Sequence, residues 1–528
     1  MQLDKLDAAA IAYINELKAT HELQLQLMQT QHEQQYKSLQ NEYDCLKEKY
    51  ELLVYKRFAR SAERLLADSK QQLLFSEGSG EPGPEGKEEE PELQTVRPHV
   101  RKKAGRKPLD ASLPRTETLL DISESEKICA CGAKMVRIGE ETSEKLHITP
   151  PEIRVEVTVR PKYACRCCEG TEDEEKPAVR IAPVEPSIIP RSIASPSLLS
   201  TVVTQKFEMH LPYYRQEKQF EQIGARISRQ DMSNWQQQLY IALLPLLALL
   251  QTIVKSGPTM NMDETTVQVI GEEGRLDTQK SHMWLARGGP PGKTVLWYEY
   301  HPTRAAYHAK EFLQGYAGYL QTDGYNGYDA AVKDMPGIIQ VGCFAHARRK
   351  FFEAAKASKK SQSAEEGVKY IRRLYDLENS LRGEDLEEND FLEKRKAGAA
   401  PILAKFLEWL KNREAELLPS SLLGGAVSYA LNQWGKLVAY LESPYLTPDN
   451  NAAENAIRPF VLGRKNWLFS QSPRGAASSC AMYSLIETAK QNGLVPFKYL
   501  VAVFEKAPLA ESPEDWERLL PWNIFEKK

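Results

Sequence analysis

Downstream of Gly257-Pro258 the chain changes period. "TMNMDETTVQVIG", "SHMWLARGG" and "TVLWYEYHP" follow in succession, each rich in Val, Thr, Trp or Tyr and short enough for a strand. "AAYHAKEFLQGY" then reads as a helix, "GYLQTDGYNGY" as a strand ending in a turn, and "GIIQVGCFAHARRKFFEAAK" as a strand running into a basic helix. Three antiparallel strands, a helix, a parallel strand, a helix and a fifth strand make a mixed five-stranded sheet with helices. Few folds place their elements in that order.

The order matches a ribonuclease-H-like core, in which the first and fourth strands are neighbours. Asp263 lies within the first strand and Asp323 at the end of the fourth. A buried carboxylate costs several kcal/mol unless it is paired or metal-bound, roughly enough to make a mid-strand Asp hard to explain by stability alone. Strand alternation puts only one of Asp263 and Glu264 on a given face, and Asp263 is preferred. For Asp323 the alternative is a turn residue before Gly324.

Two carboxylates can hold a hard divalent cation, and a third completes a site for two Mg2+ or Mn2+ ions. The third must come from a helix lying against the sheet. "PDNNAAENAIRPFVLGRKNWLF" supplies Glu454 in a first turn that Asp449 or Asn450 can cap, with Arg458 one turn on to meet a phosphate. Glu487 in "SLIETAKQNG" is the rival. Arg464 and Lys465 are candidates to grip phosphate, with Trp467 to stack on a base or to sit in the core. Arg348, Arg349 and Lys350 are phosphate-contact candidates beside the last strand. Cys343-x-x-His346 has the spacing of a metal pair but, lacking two further ligands, reads as strand-end packing. Residues 357–445 are mostly helical and form an all-α insertion ahead of the Glu454 helix.

The N-terminal half reads as a series of smaller modules. Tyr36, Leu39, Tyr43, Leu46, Tyr50 and Leu53 alternate steps of three and four, a heptad seam on a long self-associating helix. Residues 76–95 carry seven Glu against one Lys with Gly and Pro, a disordered acidic linker. Gly105-Arg106-Lys107-Pro108 resembles a minor-groove hook. Cys129 and Cys131, then Cys165 and Cys168, bracket a β-rich stretch with the logic of a structural zinc ribbon. Around residues 216–240, two helices joined by a turn have helix-turn-helix spacing, and Ser228 caps the second. That helix offers Arg229, Gln230, Ser233, Asn234 and Gln236 to a groove.

Sixty-nine basic against 72 acidic residues leave a net charge of −3, so only local patches argue for nucleic acid. The opening residues do not read as a signal peptide, and "YIALLPLLALLQTIV" is too short for a membrane span. A soluble cytoplasmic protein, nucleoid-associated and without a membrane partner, is expected.

"GRKPLDASLPR", "KYACRCCEG", "PYYRQEKQF", "MDETTVQV", "TDGYNGYD", "GCFAHARRKF", "DNNAAENAIRPFVLGRKNWLF" and "SLIETAKQNGLVPFKYL" together resemble the large transposase of the Insertion Sequence 66 family. The resemblance implies a bacterial DDE transposase with Asp263, Asp323 and Glu454 as its triad. It implies binding to terminal inverted repeats, strand cleavage, and transfer to target DNA by 3′-hydroxyl attack. Accessory proteins of the same element are possible partners. The expected layout is a coiled-coil helix (1–75), a linker (76–115), a zinc-ribbon-like domain (116–185) and a helical domain (186–256). The core (257–356) follows, then the all-α insertion (357–445), core completion with the catalytic helix (446–510) and a tail (511–528). An inactive DNA-binding regulator and a nuclease without strand transfer are the alternatives.

Overall fold

A stretch free of Gly and Pro gives one 51-residue helix, α1 (Ala8–Phe58), in this computed structural model. Residues 8–58, 152–164, 179–357 and 362–525 are described. The chain divides into two compact units, Met1–Ser76 with Thr158–Lys528, and Glu77–Val157. The predicted seam on α1 faces solvent, while Cys45 and Leu52 on another face are buried. There Glu48 accepts from the Leu422 N–H at 3.1 Å, and Lys56 pairs with Glu353 at 2.6 Å.

A short antiparallel pair follows, β1 (Lys162–Ala164) and β2 (Val179–Ile181). Four helices come next: α2 (Pro196–Phe207), α3 (Tyr213–Gln222), α4 (Arg229–Ala242) and α5 (Leu244–Val254). Ser228 caps α4 in a capping box with Asp231, as the sequence predicts. Gly224, at φ +87°, makes the left-handed step in the turn before it. Among the described residues no single helix is long and apolar enough to cross a membrane, and α4 and α5 meet at 62°.

The β-rich runs form β3 (Thr259–Val269), β4 (Lys280–Gly288) and β5 (Val295–His301), an antiparallel meander. Next come α6 (Ala306–Phe312), β6 (Gly318–Gln321), α7 (Asn326–Val332) and β7 (Ile338–Val341). The strand order is β5-β4-β3-β6-β7, with β6 parallel to both neighbours. The predicted succession of elements is therefore the observed one, in a mixed α/β architecture.

Helix α8 (Phe344–Ala357) leaves the sheet and leads to α9 (Gln362–Arg382), α10 (Glu388–Glu416), α11 (Leu422–Asn432) and α12 (Trp434–Val438). Phe351, Ile371, Phe406 and Val427 build a second core among them. The chain returns to the sheet through α13 (Asn451–Trp467) and a short strand, β8 (Phe469–Ser470), which adds to the far end of β3. Helices α14 (Pro473–Gln491), α15 (Pro496–Lys506) and α16 (Pro513–Glu517) end the fold. The buried face of α14 covers β5, where Ser484 and Thr488 accept from the Tyr298 and Leu296 N–H groups at 2.9 and 3.0 Å.

Candidate functional site

The parallel register of β3 and β6 ends with Asn261 opposite Gln321. Two residues further along each strand stand Asp263 and Asp323. Asp263 still lies in the ladder, opposite Leu285 of β4. Asp323 has just left β6, and its Oδ1 accepts from the Tyr325 N–H at 2.9 Å in an Asx turn. Glu454 is buried in the first turn of α13. The Asp263 carboxyl is pushed well above the usual carboxylate range, first by burial and then by the charges of Glu264, Glu454 and Asp323. Glu264, Glu454 and Asp323 are thus close enough to oppose the ionisation of Asp263.

Beneath them lies a layer of buried amides that the sequence reading missed. Asn261 Nδ2 donates to Gln321 Oε1 and to Asn450 Oδ1, each at 3.0 Å. Gln321 Nε2 donates to the Thr447 carbonyl at 2.8 Å, and Asn450 Nδ2 to the Met262 carbonyl at 2.9 Å. Three elements that carry the acids are cross-bonded one or two residues from the strand acids and four from Glu454. Buried amides persist only when bonded in this way. The available signal was an amide set between two methionines in "MNM". Of the two predicted caps, Asn450 stands at the N-cap position of α13, yet its side chain makes no cap hydrogen bond. Asp449 accepts from the Asn451 N–H instead, at 3.1 Å.

The two rival acids have partners of their own. Glu264 pairs with Arg304 and accepts from the Tyr328 hydroxyl. Glu487 pairs with Lys490 at 2.9 Å, and its charge is felt by Tyr298 and Tyr483, not by Asp263. Arg304 is a second residue the sequence reading passed over. It stacks 3.7 Å from the Tyr325 ring and lies 3.9 Å from Asp323 Oδ2.

The predicted DNA contacts divide by exposure. Arg229 and Asn234 are exposed on α4, but Gln236 is not available to a groove. It is buried, donates to Ser478 at 2.7 Å and accepts from Tyr213 and Lys206. Arg349 and Lys350 are exposed and Arg348 half-buried on α8, while Lys465 is exposed and Arg458 half-buried on α13. Arg464 is turned toward β3 and donates to Thr265 and Thr266 at 3.2 and 3.1 Å, which braces the helix rather than gripping phosphate. Trp467 packs against the core beside Phe207 and Tyr483. A methyl group at Gly463 would overlap its ring, so the partly buried indole is wedged against the core. Cys129, Cys131, Cys165, Cys168, Arg106 and Lys107 lie outside the described residues.

In comparison with known proteins, residues 191–478 match the transposase IS66 family. Residues 126–169 match the zinc-finger binding domain of transposase IS66, and 484–522 the IS66 C-terminal element. Residues 45–118 match the transposase C of IS166 homeodomain. Relatives from Sinorhizobium fredii include uncharacterized protein y4jD, 30% identical over 79% of this chain and 81% of its own length. Uncharacterized protein y4qI is 31% identical over 88% of this chain and 86% of its own.

Proposed function

The chain belongs to the IS66 transposase family, and on that premise we propose that it cuts and joins DNA at a DDE site made of Asp263, Asp323 and Glu454. The observation that carries this reading is that the charges of Glu454 and Asp323, together with that of Glu264, fall on the buried Asp263 carboxyl. A cluster of anions at the edge of a ribonuclease-H-like sheet is costly without a cation, and its all-oxygen donors suit Mg2+ or Mn2+. The three carboxylates would hold two such ions, which when bound supply Lewis-acid activation of the attacking oxygen and stabilise the leaving one.

The protein's own part is positioning. The amide layer fixes the relative placement of the acids. Arg304, held by Glu264 beside Asp323, meets the negative charge of an incoming phosphate, and exposed Arg349, Lys350 and Lys465 with half-buried Arg458 track the backbone around it. A site lined by carboxylates would admit water in strand cleavage and a 3′-hydroxyl in strand transfer.

The remaining modules serve end recognition. Exposed Arg229 and Asn234 on α4, the Arg106-Lys107 hook and a zinc ribbon held by Cys129, Cys131, Cys165 and Cys168 contact the terminal inverted repeats. The exposed seam of α1 pairs two copies as a coiled coil, so that two ends are cut together. The zinc-finger match supports the ribbon, and the seam's six-residue apolar row supports the pairing.

The test incubates protein and Mg2+ with labelled element-end DNA and a target plasmid, comparing wild type with Glu454→Gln. Joined products that disappear in the variant are expected. Joining that survives would remove Glu454 from the triad. Cleavage without joining would indicate a nuclease, and binding without cleavage a regulator.

A further inference from the structure

Cys343, just before α8, and His346, in its first turn, stand three residues apart and so face the same side. From the sequence they lacked further ligands. The fold brings Glu454 to them: His346 Nδ1 is 3.7 Å from Glu454 Oε1, and one ligand atom from each of the three residues lies within 4.8 Å of the others. Cys343 and Glu454 are buried, whereas His346 is partly exposed.

The donor set differs from that of the three acids. A tetrahedral zinc-type ion with bonds of about 2.0–2.3 Å needs ligand atoms roughly 3.3–3.8 Å apart, so the observed spacing requires only small side-chain movement. Burial pushes the Cys343 thiol up, so without an ion the sulfur keeps its proton. Two hydrogen bonds work the other way: the sulfur accepts from the Asn450 N–H at 3.2 Å and from the His346 backbone N–H. A zinc-type cation binds cysteine sulfur as thiolate, so its arrival would displace the proton. The exposed edge at His346 leaves a fourth position open to water.

We propose that Cys343, His346 and Glu454 form a binding site for one borderline transition-metal cation of the zinc type, separate from the carboxylate site and sharing Glu454 with it. Sulfur and imidazole select zinc or cobalt over magnesium. Because Glu454 is common to both sites, an ion held here draws it away from Asp263 and Asp323, and only this competition rests on the strand-transfer reading.

The experiment uses full-length protein loaded with zinc, so that the predicted cysteine ribbon is filled, and adds Co2+. Thiolate-bound tetrahedral cobalt gives visible d–d bands and a near-ultraviolet charge-transfer band. A further equivalent with these bands is expected, lost in Cys343→Ser and bound at least about tenfold more weakly in His346→Gln. His346 is partly exposed, so its variant reports even where the cysteine change harms folding. No added band, or one that survives both substitutions but is lost in Cys131→Ser, would overturn the site. With the cobalt site filled, Mg2+-dependent cleavage should slow, and unchanged cleavage would refute the sharing of Glu454. The bands report ligand chemistry, so they stand or fall whether or not the protein joins DNA ends.

Discussion

Asn450 Nδ2 donates to the carbonyl of Met262 at 2.9 Å, so the residue that opens the Glu454 helix is fastened to the residue before Asp263. Its Oδ1 also accepts from Asn261, which holds Gln321. Asn450→Ala leaves buried polar groups unpaired and should cost about 1–3 kcal/mol in urea denaturation. Because the asparagine supports the acids without being one of them, cleavage should fall roughly 10–100-fold. The Mg2+ concentration needed for half-maximal cleavage should rise as well. A variant that lost stability yet kept its Mg2+ requirement would show that the amide layer only stabilises.

How much of this site the sequence disclosed follows the range of the interactions involved. Asp263 and Asp323 were legible because strand period and a turn are local properties, and the element order then made the two strands neighbours. Glu454 was preferred to Glu487 on its Asp/Asn lead-in and basic sequel, although each is a helical carboxylate. What separates them is Lys490 beside one and the charge field of Asp263 at the other. The amide layer joins residues 60 and 189 positions apart, beyond any local pattern. Trp467 stayed open between core and base stacking for the same reason: its partners Phe207 and Tyr483 come from α2 and α14.

Asp263 is held against its own charge, and relieving that cost should stabilise the metal-free protein. Asp263→Asn removes one of the mutually repelling carboxylates and is expected to gain about 0.5–2 kcal/mol in EDTA by thermal unfolding, while cleavage is abolished. Adding Mg2+ should raise the wild-type melting temperature and leave the variant's nearly unmoved. Glu264→Gln should do the opposite in EDTA and destabilise, because it breaks the pairing with Arg304 and Tyr328.

The helices between α8 and α13 hold the approach to the Glu454 helix through one arginine. Arg395 is 0% exposed and donates to the carbonyls of Tyr440, Ser443 and Leu446, each at 2.9 Å, and to Glu378 at 2.6 Å. Thr447, next in the chain, accepts from Gln321 of the amide layer. Arg395→Ala should cost about 3–5 kcal/mol, the usual penalty for breaking a buried pair from one side. Arg382 also pairs with Glu378, at 2.7 Å, which places the loss toward the lower end. Arg395→Met combined with Glu378→Leu should recover part of it, and a double variant no better than the single would mean that the carbonyl bonds carry the stability.

Two leucines six residues apart on α1 do different work. Leu46, on the seam, is 67% exposed, and Leu52, on the docked face, is 8% exposed. Leu46→Glu should leave the urea midpoint within about 0.5 kcal/mol of wild type while lowering the mass measured by light scattering to that of one chain. Leu52→Ala should keep the oligomer but cost about 2 kcal/mol or more through the cavity it leaves. An unchanged mass in Leu46→Glu would place the association surface elsewhere.

Burial lowers the Lys206 ammonium to about 7, beside Gln236, which accepts from it at 2.9 Å. The Tyr213 ring, 3.8 Å away, offsets part of that cost. Between pH 7 and the ordinary lysine value of 10.5 the unfolded chain holds a proton that the native chain has lost. Stability contributed by this residue therefore rises with pH across that window, by at most about 1.4 kcal/mol per unit, and the penalty is complete below pH 7. Lys206→Met has no proton to exchange and should flatten this component. Urea midpoints of the two proteins at pH 7 and pH 9.5 give the comparison, which cancels the titration of every other group. A difference that stayed constant between the two pH values would mean that Lys206 remains charged in the folded protein.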